Sequence, residues 1–268
     1  MARKSNVIAV ISPKGGVGKT VTTANLAAAL SNEFNKKVLA VDTNVSSASL
    51  GLHFDIFYPK KTIHDTLMKG FHIKQAIYTY NKNLHVIPAS IKIKKMDRNI
   101  NNVRKTIIKL VENYDSMLND LSKEYDIILL DCAPGFDLEA IAAMHVAGGL
   151  IIVANPEYPS IVSVAKAIEY ARNSGVPLGG LVLNKVRGKD YEIKKDHIEN
   201  SLKIKVLKEI PFDKRVPESI ARKIPIVLFR PSSKASRAYK ELAGTILGRK
   251  YKSSWIKEIF GKWKIKKR

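Results

Sequence analysis

The 268-residue chain holds one cysteine, Cys132, and no apolar run near the ~18 consecutive residues that a membrane-spanning helix requires. One thiol per chain excludes an intramolecular disulfide, a cysteine-based zinc site and a cysteine-ligated cluster within a subunit. Two chains could pool their thiols across a two-fold axis, but a pair is too few for a four-cysteine cluster. The opening Met1-Ala2-Arg3-Lys4-Ser5-Asn6 runs straight into an apolar strand and leaves no room for a signal peptide. Acidic residues are scarce too: 24 Asp and Glu stand against 46 Lys and Arg, a formal net charge of +22. Such a surface is drawn to polyanions, DNA or an anionic membrane, although a lysine-rich composition also fits a hot or salty habitat.

What is present is the material of a full core, 45% hydrophobic and 26% charged residues. Apolar runs alternate with helical stretches. Strands are expected over Val7 to Ser12, Val38 to Val41, Leu84 to Pro88, Tyr125 to Leu130, Leu150 to Ala154 and Gly180 to Leu183. Helices are expected from Val21 to Phe34, capped near Asn35, and between Asn99 and Leu121 with a break around Tyr114-Asp115-Ser116. A further helix runs from Lys240 to Leu247 before Gly248. Solid β-branched runs read as parallel strands buried on both faces, which requires helices above and below. The expectation is an α/β, mostly parallel, doubly wound sheet in one domain over residues 1–250, followed by a distinct tail over 251–268.

The first strand ends in Lys14-Gly15-Gly16-Val17-Gly18-Lys19-Thr20. The plain phosphate-loop pattern has glycine where this chain has Pro13, but the cradle is physically complete. Gly15, Gly16 and Gly18 expose backbone N–H groups, and a helix opening near Lys19 and Val21 points its positive end at the phosphates. Lys19 is placed for the β- and γ-phosphates and the Thr20 hydroxyl for Mg²⁺. Asp42 and Asp131 each end a buried strand, at the carboxyl edge where such sheets bind ligands. Asp131 is expected to hold Mg²⁺ through its water shell, with Asp42 nearby. In Cys132-Ala133-Pro134-Gly135, Gly135 can offer a backbone N–H to the γ-phosphate and move when that phosphate leaves. Cys132 reads as a small buried residue.

Lys14 to Thr20, Asp131-Cys132-Ala133-Pro134-Gly135 and Asn184-Lys185-Val186 together resemble the deviant Walker A ATPases of the MinD and ParA branch, above all archaeal MinD-like proteins. The resemblance spans about residues 5 to 247 and implies a SIMIBI-type P-loop NTPase fold, with ATP and Mg²⁺ as ligands and a cytoplasmic protein. It implies that ATP sandwiches two subunits into a homodimer, with Lys14 reaching the partner's site to neutralise charge on the transferring phosphate. The family's second loop carries two aspartates separated by one residue, the later one positioning the attacking water. Here the loop reads Asp42-Thr43-Asn44. A carboxamide holds a water but cannot take its proton, so slow hydrolysis and a long-lived ATP dimer are expected. The resemblance also implies that Asn184 hydrogen-bonds the base and that Pro211, Phe212 and Asp213 line it. Arg187 stands where a guanine-specific site more often has aspartate, which favours ATP. A lone cysteine argues against the iron–sulfur scaffold and nitrogenase iron-protein branches.

Near the carboxyl end, at about 100° per residue, Trp255, Ile256, Ile259, Phe260 and Trp263 fall within an arc of about 140°, with Lys257, Lys262 and Lys264 outside it. Such a helix suits a membrane interface, and it resembles the C-terminal targeting helix of MinD proteins. Each lysine near an anionic surface adds roughly 1 kcal/mol, and two anchors on a dimer hold far better than one. The same helix could pack on its own domain or meet a protein partner. A second basic run, Ile91-Lys92-Ile93-Lys94-Lys95-Met96-Asp97-Arg98, continues through Arg104, Lys105 and Lys109. It suits nonspecific, salt-sensitive DNA binding of the ParA kind, or is simply a solvated face. The combined reading is an ATP-switched dimer on the cytoplasmic face of the cell membrane, with a cargo or activator that the sequence leaves unnamed.

Overall fold

Each apolar run singled out above becomes a strand of one eight-stranded sheet. The computed structural model describes residues 3–44, 48–90 and 103–251. The strands are β1 (Lys4–Ser12), β2 (Val38–Asp42), β3 (Tyr78–Asn81), β4 (Leu84–Ile87), β5 (Ile127–Pro134), β6 (Ala147–Ala154), β7 (Leu178–Val186) and β8 (Val206–Pro211). They lie in the order β3-β4-β2-β5-β1-β6-β7-β8. All neighbours are parallel except β3, which runs antiparallel to β4 at one edge.

Strand periodicity explains how both faces are filled. Leu39 and Val41, Ile128 and Leu130, and Ile152 and Ala154 point into one core; Val38 and Ala40, Ile127 and Leu129, and Ile151 and Val153 point into the other. The first core is roofed by α3 (Val103–Glu124), α4 (Leu138–Val146), α5 (Tyr158–Asn173) and α6 (Lys195–Leu202), through Leu110, Tyr114, Ala143, Val164 and Ile198. The short α2 (Ile63–Lys69) joins it through Ile63. The second core lies under α1 (Lys19–Glu33), α8 (Ile226–Phe229) and α9 (Lys234–Ile246), through Leu26, Leu30, Ile226 and Leu242, with α7 (Arg215–Ala221) beside it. Asn35 takes φ 52° just past α1, the left-handed turn expected of its cap, and the Lys36 N–H reaches back to the Leu30 carbonyl at 3.1 Å.

The structure corrects three readings. First, α3 runs unbroken through residues 114–116: Tyr114 is fully buried and in line with Met117, Leu118 and Leu121, while Asp115 binds Lys4. The Tyr-Asp-Ser triplet therefore stays helical because tertiary burial of Tyr114 outweighs its weak local propensity. Second, β3 and β8 carried no apolar run and escaped notice; both are edge strands. Third, β5 continues past Asp131 to Pro134, helped by an irregularity against β1 between Val10 and Ser12. Tail residues 252–268, with Trp255, Ile256, Ile259, Phe260 and Trp263, and the basic run 91–98 lie outside the described residues. Among the described residues no helix is long and apolar enough to cross a membrane.

Candidate nucleotide-binding site

The central strand β1 leads into residues 13–18 and then α1, so the loop sits where the chain turns to one side of the sheet through β2 and later to the other through β6. This is the crevice position of an open α/β sheet. Around it opens a cavity of about 590 Å³. Lys14, Gly15, Gly16, Val17, Gly18, Lys19, Thr20, Val21, Asn44, Asn184, Pro211, Phe212 and Asp213 line it together, although four distant segments supply them.

Asp131 organises the floor. Its Oδ1 accepts from Lys19 Nζ at 2.7 Å and from the Thr23 hydroxyl at 3.1 Å; its Oδ2 accepts from the Thr20 hydroxyl at 2.7 Å. Lys19 and Asp131 are both buried, so removing either would strand the other's charge in the interior. Asp42 faces Asp131 across the β2–β5 ladder. Burial, and after it the charge of Asp131, push its carboxyl up to about 7, while the Leu50 and Ser49 N–H groups and Lys19 hold it down. Three backbone donors contact it at 3.0 Å: Asn44 N–H on Oδ1, and Ser49 and Leu50 N–H on Oδ2. Asp42 is fully buried behind the wall rather than part of it, whereas Asn44 lines the cavity.

Gly135 also stands back. With φ 84° it turns the chain after β5, and its N–H donates to the Ser12 carbonyl at 2.9 Å; Pro134 takes its place on the cavity wall. Lys14 is exposed at the rim of the loop. Burial pushes the Cys132 thiol up to about 12, which fits an inert core residue.

The loop is latched from the side. Asn184 Nδ2 donates to the Val17 carbonyl at 2.7 Å, and Lys185 Nζ, from a residue with φ 59°, donates to the Gly16 carbonyl at 2.8 Å. A Cβ on Gly18, where φ is 94°, would lie 2.2 Å from Asn184 Nδ2. Gly18→Ala is therefore expected to lose about 2–4 kcal/mol of stability, combining backbone strain with a broken buried hydrogen bond. Gly15→Ala, whose Cβ meets nothing within 4 Å, is expected to stay within about 0.5 kcal/mol. Urea denaturation of the two variants checks the difference; equal losses would remove the latch from the explanation.

Arg187, read from the sequence as a base-side position, lines the wall, and several further wall residues were not anticipated: Ser49, Lys185, Val216, Pro217, Ile220 and Tyr239. At the mouth the Arg187 guanidinium lies 3.7 Å from the centre of the half-exposed Phe212 ring. Asp213 lines the cavity, but its carboxylate is engaged by Arg215, at 2.8 and 2.9 Å, and clamps the start of α7. Among the described residues no group of three or more His, Cys, Asp or Glu could hold a metal alone. Of the oxygen donors Thr20, Asp131 and Asp42, only Thr20 lies on the wall; Asp131, bound to Lys19, Thr20 and Thr23, is fully buried behind it, as is Asp42. Such a set suits Mg²⁺, which takes one or two carboxylates, here through its water shell, and completes its shell with water and phosphate.

Comparisons with known proteins agree with this geometry. A family model described as an AAA domain matches residues 5–174. An ATP-binding protein of Methanocaldococcus jannaschii, itself uncharacterized, is 35% identical over 243 residues, 90% of this chain and 88% of the relative. The crystal structure of the cell division ATPase MinD of Pyrococcus furiosus superposes with a TM-score of 0.80 at 31% identity, covering 91% of this chain and 99% of that one. The septum site-determining protein MinD of Pyrococcus horikoshii, complexed with Mg-ADP, gives 0.78 at 30% identity, covering 92% and 96%. With its deviant phosphate loop, parallel sheet and archaeal relatives, the chain belongs to the MinD/ParA family of P-loop ATPases.

Proposed function

We propose that this protein is an ATP-dependent, dimerising switch of the MinD type, which hydrolyses ATP slowly and in its ATP state gathers on the cytoplasmic face of the cell membrane to position a cell-division or other component. The observation that carries the reading is the single cavity in which the phosphate loop, Asn44, Asn184 and Pro211 to Asp213 meet, with Lys14 exposed at its rim. The loop N–H groups and Lys19 hold the triphosphate, and Asn184 with Pro211 and Phe212 hold the adenine. Thr20, with Asp131 acting from behind it through the water shell, would hold Mg²⁺, which would neutralise charge on the transferring phosphate. Water attacks the γ-phosphorus, the bond to the bridging oxygen breaks, the water's proton passes to an oxygen of the phosphate itself, and ADP and inorganic phosphate are released. Asn44 orients that water without taking its proton, and the partner subunit's Lys14 offsets the charge that develops. The amphipathic pattern of Trp255 to Trp263 supports the membrane step.

Cosedimentation with anionic liposomes tests the switch, using the full chain and a chain ending at Ser254, each with Mg-ATP or Mg-ADP. Only the full-length ATP form is expected to pellet with lipid. Pelleting that ignores both nucleotide and tail would sink the MinD-type role.

A ParA-like role in DNA partitioning is the second reading. It is favoured by the exposed Arg104, Lys105 and Lys109 on the first turns of α3, which extend the basic run 91–98, and by the net charge of +22. DNA binding that needs ATP, weakens steeply with salt and survives removal of the tail would favour this role over the first.

A further inference from the structure

The wall between Thr20 and Asp42 carries a hydroxyl that the motifs did not announce. Ser49 lines the cavity, and its Oγ lies 3.3 Å from Thr20 Oγ1. It is fixed from behind, because the Ser49 N–H and the adjoining Leu50 N–H both donate to Asp42 Oδ2 at 3.0 Å. The Asn44 N–H donates to the other carboxylate oxygen, also at 3.0 Å. Asp42 thus has backbone donors on both oxygens and no face on the cavity, while the residue it holds does have one. Leu50, next in the chain, is fully buried in the core under α1, so the turn carrying Ser49 is anchored on two sides.

We propose that Ser49 is a Mg²⁺-side residue of this site: its hydroxyl, presented beside Thr20 by Asp42, helps to hold the hydrated Mg²⁺–triphosphate. The proposal rests on the nucleotide reading given above and adds a residue to it. Oxygens that share an octahedral Mg²⁺ stand about 2.9 Å apart, given the short Mg–O bond, and a hydrogen bond to a water in its shell spans about 2.8 Å. A hydroxyl 3.3 Å from that of Thr20 is within reach of either role. Both hydroxyls are hard, neutral oxygen donors, so the pair adds to the site without adding to the negative charge of Asp131 and Asp42. In this arrangement Asp42 is a positioning residue. It acts through the loop that it folds and touches the ion only by way of Ser49.

The test is equilibrium binding of a fluorescent ATP analogue to the full-length protein, across a series of Mg²⁺ concentrations and in EDTA. Ser49→Ala is expected to raise the Mg²⁺ concentration for half-maximal binding by about tenfold, the usual effect of losing an outer-shell partner of a metal. Affinity in EDTA is expected to stay that of the parent, and Ser49→Thr is expected to restore the parental midpoint. An unchanged midpoint in Ser49→Ala overturns the proposal, as does an equal loss of affinity with and without Mg²⁺. A parent protein that fails to bind the analogue in Mg²⁺ overturns the nucleotide reading itself, and the two failures are told apart by the parent's own titration.

Discussion

Lys14→Ala is expected to lower ATP turnover by about three orders of magnitude while nucleotide affinity stays within a few-fold of the parent, the pattern of a lost trans-acting cation in phosphoryl transfer. The asymmetry follows from where the side chain sits. Lys19 is buried on Asp131 and belongs to its own subunit's floor. Lys14 lines the rim of the cavity and is exposed there, open to a second subunit. Its backbone is nevertheless held, since the Ser12 hydroxyl donates to the Lys14 carbonyl and Ser12 is buried at the end of β1. The side chain is therefore presented outwards from a fixed base, as a group that acts on a second copy must be. Hydrolysis at saturating ATP, beside an independent binding titration, checks the prediction. Affinity falling in step with turnover would make Lys14 an ordinary binding residue of its own site.

Asn44→Asp has the opposite sign. Restoring a carboxylate on the cavity wall is expected to raise turnover by about one to two orders of magnitude, toward the low end of what a positioned general base contributes. The gain carries a cost in stability. Asn44 follows closely on Asp42, whose Oδ1 accepts the Asn44 N–H, and Asp131 faces Asp42 across the ladder. A third carboxylate in this group adds repulsion where Asp42 is already pushed up by burial and by Asp131. The variant should therefore hydrolyse faster and melt lower, with Mg²⁺ and nucleotide recovering part of the lost stability by binding the native state. Phosphate release and thermal unfolding, measured side by side, check both halves. Turnover unchanged by the aspartate would assign the slow step to something other than the water.

The sequence was most legible where several residues must act in one short stretch. Lys14 to Thr20 state the phosphate cradle almost completely, because backbone N–H donors, a lysine and a hydroxyl have to follow one another between a strand and a helix. The central strands were readable for a related reason: burial on both faces leaves unbroken runs such as Ile127 to Leu130 and Leu150 to Ala154. At the sheet edges that pressure falls. β3 buries none of its residues fully and β8 buries only Val206 and Ile210, so neither leaves a run to find. The cavity walls were hidden for a different reason. Tyr239 sits on α9 among core residues and resembles one, and nothing in its neighbours says that the tertiary fold brings it to the same cavity as Val17. Ser49 is equally anonymous in the chain. Its place depends on Asp42, which the motif suggested as a metal-side group and the fold instead uses to tie down a loop.

The latch from Asn184 and Lys185 onto the carbonyls of Val17 and Gly16 has a consequence for redesign. On the proposed reading, the segment assigned to the base and the loop assigned to the phosphates form one mechanical part, so the two specificities are not separate dials. An attempt to convert this protein to another nucleotide by rewriting Asn184 or Lys185 would disturb the phosphate loop as well. Accommodating a new base therefore calls for second-site adjustment within residues 15–18, where Gly18 has no room to offer.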